Sequence, residues 1–424
     1  MRPWRFVVWF GTVSLLADFV YEGARSITGP LLSSLGASAL VVGVVTGAGE
    51  AAALGLRLVS GPLADRTRRF WGLAIAGYTL TVISVPLLGV VGVLWAACAL
   101  VIAERVGKAV RSPAKDTLLS HATAATGRGR GFAVHEAMDQ VGALIGPLVV
   151  AGVLALTGGD YGPALGVLAV PGVAVLALLM WLRARVPDPE AYERAAAADP
   201  EADEIGAASP AVSSAAASGP APVPAATPAS AAAPTPGPAP DARLPRAFWT
   251  YAAFTAATTA GFTTFGVLSY HLVERHLMTA AWVPVLYAAA MAVDALAALA
   301  TGWLYDRAGA RVLAALPVLT AAVPMLAFTD TVAPAVLGSL VWGAAMGIQE
   351  STLRATVADL VPPGRRATAY GVFAGVVGAA SLVGGALTGA LYGVSIPALI
   401  TVVVAAQLLA LVLLAVQRPG RRAD

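Results

Sequence analysis

The chain is short of charge, and shorter still of the residues that carry most enzyme chemistry. Of its 424 residues only 12% are charged and 58% are hydrophobic, and the mean hydropathy is +0.76. A soluble domain is about 25% charged, so a chain this long and this apolar cannot cover its outside with polar groups; that outside is expected to face lipid. The lone cysteine, Cys98, sits in an apolar run, which excludes a disulfide framework and a thiolate metal site. The histidines, His121, His135, His271 and His276, show no ligand spacing, and no H-E-x-x-H, G-x-S-x-G or phosphate-cradling G-x-x-x-x-G-K-[ST] run occurs. Metal-based, nucleophile-based and ATP-driven chemistry therefore have no motif to rest on. Lysine is nearly absent: Lys108 and Lys115 stand among arginines scattered between apolar runs. The net charge of +3 then reflects loop topology rather than a nucleic-acid surface. No enzyme activity, catalytic residue, cofactor, metal or nucleic-acid partner is expected.

What is present is a series of long hydrophobic runs. A membrane-crossing helix needs about 20 mostly apolar residues, and such runs fall near 6–33, 40–64, 71–89, 91–111, 131–157 and 164–184, then near 247–273, 281–304, 312–330, 334–360, 368–392 and 396–416. Arg2 and Arg5 before the first run give it the look of a signal peptide, but Asp18, Glu22 and Arg25 interrupt it, so it reads as a retained first span. Arg66, Arg68 and Arg69, then Lys115, Arg128 and Arg130, then Arg307 and Arg311, then Arg365 and Arg366, then Arg418, Arg421 and Arg422 all fall on one side of this layout; on the other, Arg275 is the main exception. That bias places both termini in the cytoplasm of a cell that carries the protein in its inner or plasma membrane. Trp4, Trp71, Trp181, Trp249, Trp282 and Trp303 fall near span ends, as interfacial anchors do.

Between the two sets of spans, 186–244 is different material. It opens acidic, from Asp188 and Glu190 to Glu204, and becomes an Ala/Pro/Ser tract up to Pro240. It holds too few large apolar groups to offset ordering entropy and is expected to be a disordered cytoplasmic tether. The layout is thus a six-helix bundle over 1–185, the tether over 186–244, a second six-helix bundle over 245–416 and a basic tail over 417–424.

The halves echo one another. Gly61, Leu63, Ala64, Asp65 and Arg66 close the second span, followed by Arg68 and Arg69; Gly302, Leu304, Asp306 and Arg307 close the eighth, followed by Gly309 and Arg311. Gly131 and Gly371 open the fifth and eleventh. The loop after span 2 resembles the G-x-L-a-D-R-x-G-R-R signature of the major facilitator superfamily, with Arg68 where the signature has its second glycine; the copy after span 8 keeps that glycine as Gly309. The resemblance covers the chain apart from the tether. It implies an all-α integral membrane protein of twelve helices in two pseudo-symmetric bundles, working by alternating access with its substrate site between the halves near the midplane. Arg105, Gly107 and Pro113 resemble the family's fourth-helix arginine motif with altered spacing. Gly142, Gly146, Pro147 and Gly152 resemble the Gly-Pro motif of its antiporters; close helix packing through small residues accounts for them equally well.

Ionisable groups inside spans need a reason, since each costs about 2.5–3.5 kcal/mol at a helix centre. Asp18, Glu22 and Arg25 share one face of span 1, being four and three residues apart, and Glu50 lies midway along span 2. Acids outnumber bases in this group, which favours a titrating carboxyl beside a substrate over a static pair. With Asp294 in span 8 and Glu350 in span 10 it makes the expected proton-coupling and substrate cavity. Glu350 and Arg354, four apart, are placed to pair. Tyr78, Phe254, Phe262, Phe265, Tyr270, His271 and Tyr287 are candidates to line the cavity. A second group, Arg57, Glu104, Arg105, Lys108, Arg111, His135, Glu136 and Asp139, lies nearer the cytoplasm. The resemblance makes part of it a conformational latch, made up of Gly61, Asp65, Arg66, Arg69, Arg105, Asp139, Asp306 and Arg307, with Asp65 set against the N-terminus of span 11.

The expected partners are a small-molecule substrate, protons and the lipid bilayer, and the expected oligomeric state is a monomer. Proton-coupled efflux of a drug-like or metabolite molecule leads; uptake or exchange of an anionic metabolite clamped by a buried arginine is the alternative. A sensor or scaffold would be expected to carry a folded output domain, which the tether is too simple to supply.

Overall fold

Long apolar runs broken by glycine and proline fold as helices, and among the described residues no strand occurs. The structure is a computed structural model that describes residues 1–124, 126–198, 244–362 and 365–416. In the first half, α1 spans Pro3–Ser34, α2 Ala39–Gly55, α3 Arg57–Thr67, α4 Phe70–Leu88, α5 Leu94–Ala124, α6 Arg128–Leu156, α7 Tyr161–Gly166, α8 Ala169–Arg185 and α9 Glu190–Ala198. In the second, α10 spans Arg246–Ala260, α11 Phe265–Glu274, α12 Trp282–Ala308, α13 Ala315–Ala327, α14 Val332–Leu360, α15 Arg366–Val394 and α16 Ile396–Val416, with a 3₁₀ turn at Gly309–Ala314. Proline at the start of α1 suits a helix's first turn, and Ser38 caps α2 by accepting from the Val41 amide.

Nine segments among the described residues are long and apolar enough to cross a bilayer, one of them running from Trp282 to Ala327 and holding both α12 and α13. Twelve crossings require, besides that division, the charge-rich α5 and the interrupted pair α10–α11. Three expected spans are not continuous helices. The run expected over 247–273 breaks after Ala260, where Gly261 ends α10 and Thr264 caps α11 through the Val267 amide; a glycine and, three residues on, a capping threonine favour a break over continuation. The runs expected over 40–64 and 164–184 are interrupted at Leu56 and at Val167–Leu168. The fourth runs longer, to Ala124.

The expected disorder of 186–244 is corrected at its start. Glu190–Ala198 is helical and packs on α5. Glu190 reaches Arg68 at 3.8 Å, Glu193 meets His121 at 2.7 Å, the Tyr192 hydroxyl donates to the Met1 carbonyl at 2.8 Å, and Arg194 pairs with Asp188. The acids that make this stretch look unstructured are the groups that hold it down. Residues 199–243 and the tail lie outside the described residues.

The first half has an apolar interior around Phe6, Phe10, Tyr78 and Leu118, and the second has its own around Phe248, Tyr251 and Leu316 with Phe265, Tyr287 and Trp342; a further cluster around Val20, Ile27, Val42 and Leu165 runs across into Val267, Phe328 and Leu399 of the second half. Outward residues are apolar too, Leu156 being 89% exposed. With lipid outside, burial of apolar area cannot drive helix association; close packing does that work. The halves meet through α2 on α15, α6 on α12 and α1 on α11. Gly43 and Gly385 lie so close that a Cβ on either would strike the other's carbonyl oxygen, and Gly389 stands likewise against Ala39. Five of the expected tryptophan anchors are exposed, but Trp71 is buried beneath Phe6 and Phe10.

Candidate functional site

The first half gathers its ionisable side chains on α1, α2 and α5 into one connected network. Arg25 sits between Glu50 (3.0 Å) and Glu22 (3.6 Å). Glu50 is also reached by Arg105 at 3.6 Å, and Arg105 holds Glu104 at 3.2 Å. Arg105, expected in the latch, therefore belongs to the central group. Lys108, one turn on, donates to the Tyr21 hydroxyl at 3.1 Å and lies over that ring at 4.3 Å. Arg111 is held between Tyr78 and Tyr21, 4.6 and 5.3 Å from their centroids, and Arg57 donates to Ser112 at 3.3 Å. The expected excess of acid over base is overturned: spans 1 and 2 look acid-rich in isolation, but α5 brings Arg105, Lys108 and Arg111 to the same place.

Asp18 does not pair with Arg25. It lies within electrostatic reach of Asp139, Lys115, Lys108 and Arg111, in a lower cluster where Lys115 meets Asp139 at 3.4 Å and His135 stands between Ser14 (3.2 Å) and Asp139 (3.6 Å). The expected outer and inner groups of charge thus form one ladder down the first half.

The second half reaches this ladder through Tyr287 on α12, whose hydroxyl donates to Glu22. Tyr287 is fully buried beside Phe265 and Trp342, so its phenol cannot swing elsewhere. Two turns further along α12, Asp294 is 4% exposed, its Oδ1 has no hydrogen-bond partner, and no cation lies within ion-pair range among the described residues. Its electrostatic neighbours are Glu350, Glu22, Arg25 and Glu136, which places it at the seam between the halves. Glu350 is exposed; Arg354 lies on the described helix, with its side chain outside the described set. The other aromatic candidates divide differently from expectation. Tyr78, Phe254 and Phe265 are core, and His271 bonds Tyr392 at 2.9 Å and the Thr329 carbonyl at 3.1 Å near the end of α11.

On the face away from the one that carries Met1, several close contacts join the halves. Besides the glycine crossings they are Ser33 to Glu274 (3.3 Å), Thr46 to Thr264 (2.9 Å) and Gly29 against Gly266 and Ser269. On the Met1 face, α3 reaches α15 through Leu58, near Gly371 and Gly375. Asp65, Arg66 and Arg69 are exposed there, and Asp65 has no ion-pair or hydrogen-bond partner among the described residues, so it does not cap α15 in this state. Gly61 has nothing within reach of a Cβ, and the exposed Arg307 lies 3.5 Å over the Trp303 ring beside Asp306. Gly142 and Gly146 of the antiporter-like motif press against the carbonyls of Leu15 and Phe19, while Gly152 touches nothing; the first two are packing glycines between α1 and α6. Sequence reasoning missed the Tyr287–Glu22 bond and the Lys108–Tyr21 contact. An acid in span 1 and a tyrosine in span 8 carry no mutual signal along the chain.

Two bundles closed on one face around a buried charged seam are the architecture of a membrane transporter. The chain belongs to the Major Facilitator Superfamily, whose profile matches residues 12–335 and 276–424. An uncharacterised protein of Mycobacterium tuberculosis is 62% identical over 414 residues, covering 98% of this chain and 93% of that one. An MFS-type transporter of Methanocaldococcus jannaschii is 29% identical over 136 residues, 32% of this chain and 34% of that one. Among solved structures, a mutant nucleoside transporter matches with a TM-score of 0.69 at 13% identity, covering 97% of this chain and 98% of the other. A peptide transporter bound to sulfate matches at 0.69 and 15%, covering 97% and 94%. A bacterial homolog of the human lysosomal transporter Spinster, inward-facing and occupied, matches at 0.63 and 16%, covering 98% and 96%. These likenesses establish the fold. The chain is a multi-pass membrane protein of a transporter family.

Proposed function

We propose that this chain is a monomeric secondary transporter of twelve crossings with both termini in the cytoplasm. It exports a small organic molecule in exchange for protons by alternating access. With the arginine-rich loops and Met1 inside, the contacts between α2 and α15 and between α1 and α11 close the outer face, and the state described faces inward. The observation that carries the proposal is the hydrogen bond from Tyr287 to Glu22, which joins the two halves through an ionisable oxygen. Rocking the halves apart on the closed face separates the phenol from the carboxylate. Glu22 then keeps Arg25 but loses its donor, and a proton is the simplest replacement. Proton binding and conformational change are linked through that one atom, at a cost of about 1.5–3 kcal/mol for a hydrogen bond to a charged group. Glu50 extends the linkage, because Arg25 and Arg105 are shared between it and its neighbours. Asp65 is exposed in this state and free to meet α15 when the inner face closes.

The test is flux in proteoliposomes under an imposed pH gradient. Glu22→Gln and Glu50→Gln are expected to abolish gradient-driven transport while counterflow survives; full gradient-driven transport in both single variants and the double variant removes the pair from the mechanism. Tyr287→Phe is expected to retain transport but shift the inward–outward balance about tenfold or more toward the outward state. An unshifted balance would leave the bond without a gating role. Exchange of an anionic metabolite is favoured by Lys108 and Arg111, which have no carboxylate within ion-pair range among the described residues. Uptake of labelled organic acids that disappears in Lys108→Met would establish it.

A further inference from the structure

We propose that the transported molecule is dipolar, carrying an ammonium-type cation that Asp294 receives and a carboxylate-type anion that Lys108 receives; this deepens the transporter reading and rests on it. The ladder leaves some of its charges over. Glu22, Glu50 and Glu104 are each tied to Arg25 or Arg105, and Asp139 to Lys115 and His135. Two kinds of group then remain on opposite walls of the seam. On α5, among the described residues, Lys108 contacts the Tyr21 ring and hydroxyl and Arg111 lies against two aromatic faces, neither within ion-pair distance of a carboxylate; Asp18 lies within electrostatic reach of both and offsets one of the two charges. Arg111 is 4% exposed and its buried Nη1 has no hydrogen-bond partner. On α12, Asp294 is equally buried with an unpartnered Oδ1. Arg25, the cation in its reach, already serves Glu22 and Glu50.

An unpaired buried charge is costly wherever it stands, and a membrane chain retains one only for a purpose. With Asp18 counted, one cation on α5 and the Asp294 carboxyl on α12 remain without an ion-pair partner among the described residues, and they do not meet each other in this state. Glu22 lies between them, within electrostatic reach of both Lys108 and Asp294, and its own oxygens are taken by Arg25 and Tyr287. A ligand with one charge satisfies one wall and leaves the other without a partner. A ligand with both charges satisfies both and bridges the halves, which is what an alternating-access site needs to draw them together. Glu136 on α6, also in reach of Asp294, adds negative potential to the cation end, and the rings of Tyr21 and Tyr78 shield the anion end from lipid.

The purified full-length protein is tested by thermal shift and by direct binding in detergent. The probes are leucine and phenylalanine, each beside its amide, which keeps only the amine charge, and its N-acetyl form, which keeps only the carboxylate. The doubly charged forms are expected to raise the apparent melting temperature by several degrees near saturation, and both singly charged forms to bind at least tenfold more weakly. Asp294→Asn and Lys108→Met should each lower the affinity for the free amino acid by tenfold or more, with Asp294→Glu and Lys108→Arg recovering most of it. The proposal is overturned if an N-acetyl or amide form stabilises as well as the free amino acid, if Asp294→Asn leaves the shift unchanged, or if neither amino acid gives a shift at millimolar concentration. Flux in proteoliposomes separates the two ideas. Binding that depends on Asp294 without flux sinks the transporter reading alone, whereas flux of neutral solutes without binding of dipolar ones sinks this inference alone.

Discussion

Arg68 holds a backbone position that its chemistry does not favour. It ends α3 with φ 49° and ψ 20°, in the left-handed region, where the family signature has glycine. In the second half the corresponding Gly309 has φ 61° and ψ −152°, a conformation that only glycine adopts freely. A side chain at the left-handed position costs about 1–2 kcal/mol. What Arg68 returns is its pair with Glu190 at 3.8 Å, exposed and therefore worth about 0–1 kcal/mol. Arg68→Gly is accordingly expected to stabilise the protein slightly, by up to about 1 kcal/mol, read as a rise in melting temperature in detergent. A fall would show that the tie between the motif loop and α9 outweighs the backbone penalty. The same pair ties the loop to α9, so limited proteolysis within Glu190–Ala198 should quicken in the variant.

Helices α2 and α15 cross through glycine so closely that no larger residue fits. Gly385→Val would drive a side chain into the Gly43 carbonyl, and overpacking of this kind costs about 1–3 kcal/mol. Because that contact exists only while the face away from Met1 is closed, the cost falls on this state and not on its opposite. The variant is expected to shift toward the state open on that face by tenfold or more, measured by distance distributions between spin labels on α1 and α11 at that face. Unchanged distances would mean that the crossing is a static seam. The sequence made the helices legible because each is an apolar run that lipid requires, and it made the acids of α1 and α2 legible because a charge in such a run stands out. It did not reveal which partner each charge takes. Arg105 on α5 reads as a cytoplasmic latch residue by its position along the chain, yet the packing of α5 on α2, through Gly49 against the Arg105 stem, carries its guanidinium to Glu50. The break at Gly261–Thr264 was hidden for the opposite reason: mean hydropathy passes over a cap that two or three residues decide.

The molecule as a whole is asymmetric in two respects, and the second can be tested through the first. Its halves share a layout but not a charge pattern, since the ladder runs along α1, α2, α5 and α6 while the second half contributes Tyr287, Asp294 and Glu350. Its two faces also differ, one sealed by Ser33 with Glu274, Thr46 with Thr264 and the glycine crossings, the other left with Asp65, Arg66 and Arg69 exposed. Glu350, exposed although it lies within a long apolar helix, marks the space that opens toward the Met1 face. A cysteine at this position reports access to that space. Cys98 on α5 is the only native thiol and is partly buried, so its removal leaves a clean background. In sealed vesicles of known orientation, Glu350→Cys is expected to react with a membrane-impermeant maleimide from the Met1 side and to be protected from the other. A dipolar ligand that draws the halves together should slow that reaction several-fold, and Gly385→Val should slow it without ligand by favouring the opposite state. Labelling from the face away from Met1, or equally from both, would mean that the contacts between α2 and α15 do not form a seal, and the direction assigned to the proposed proton-driven export would have no structural basis.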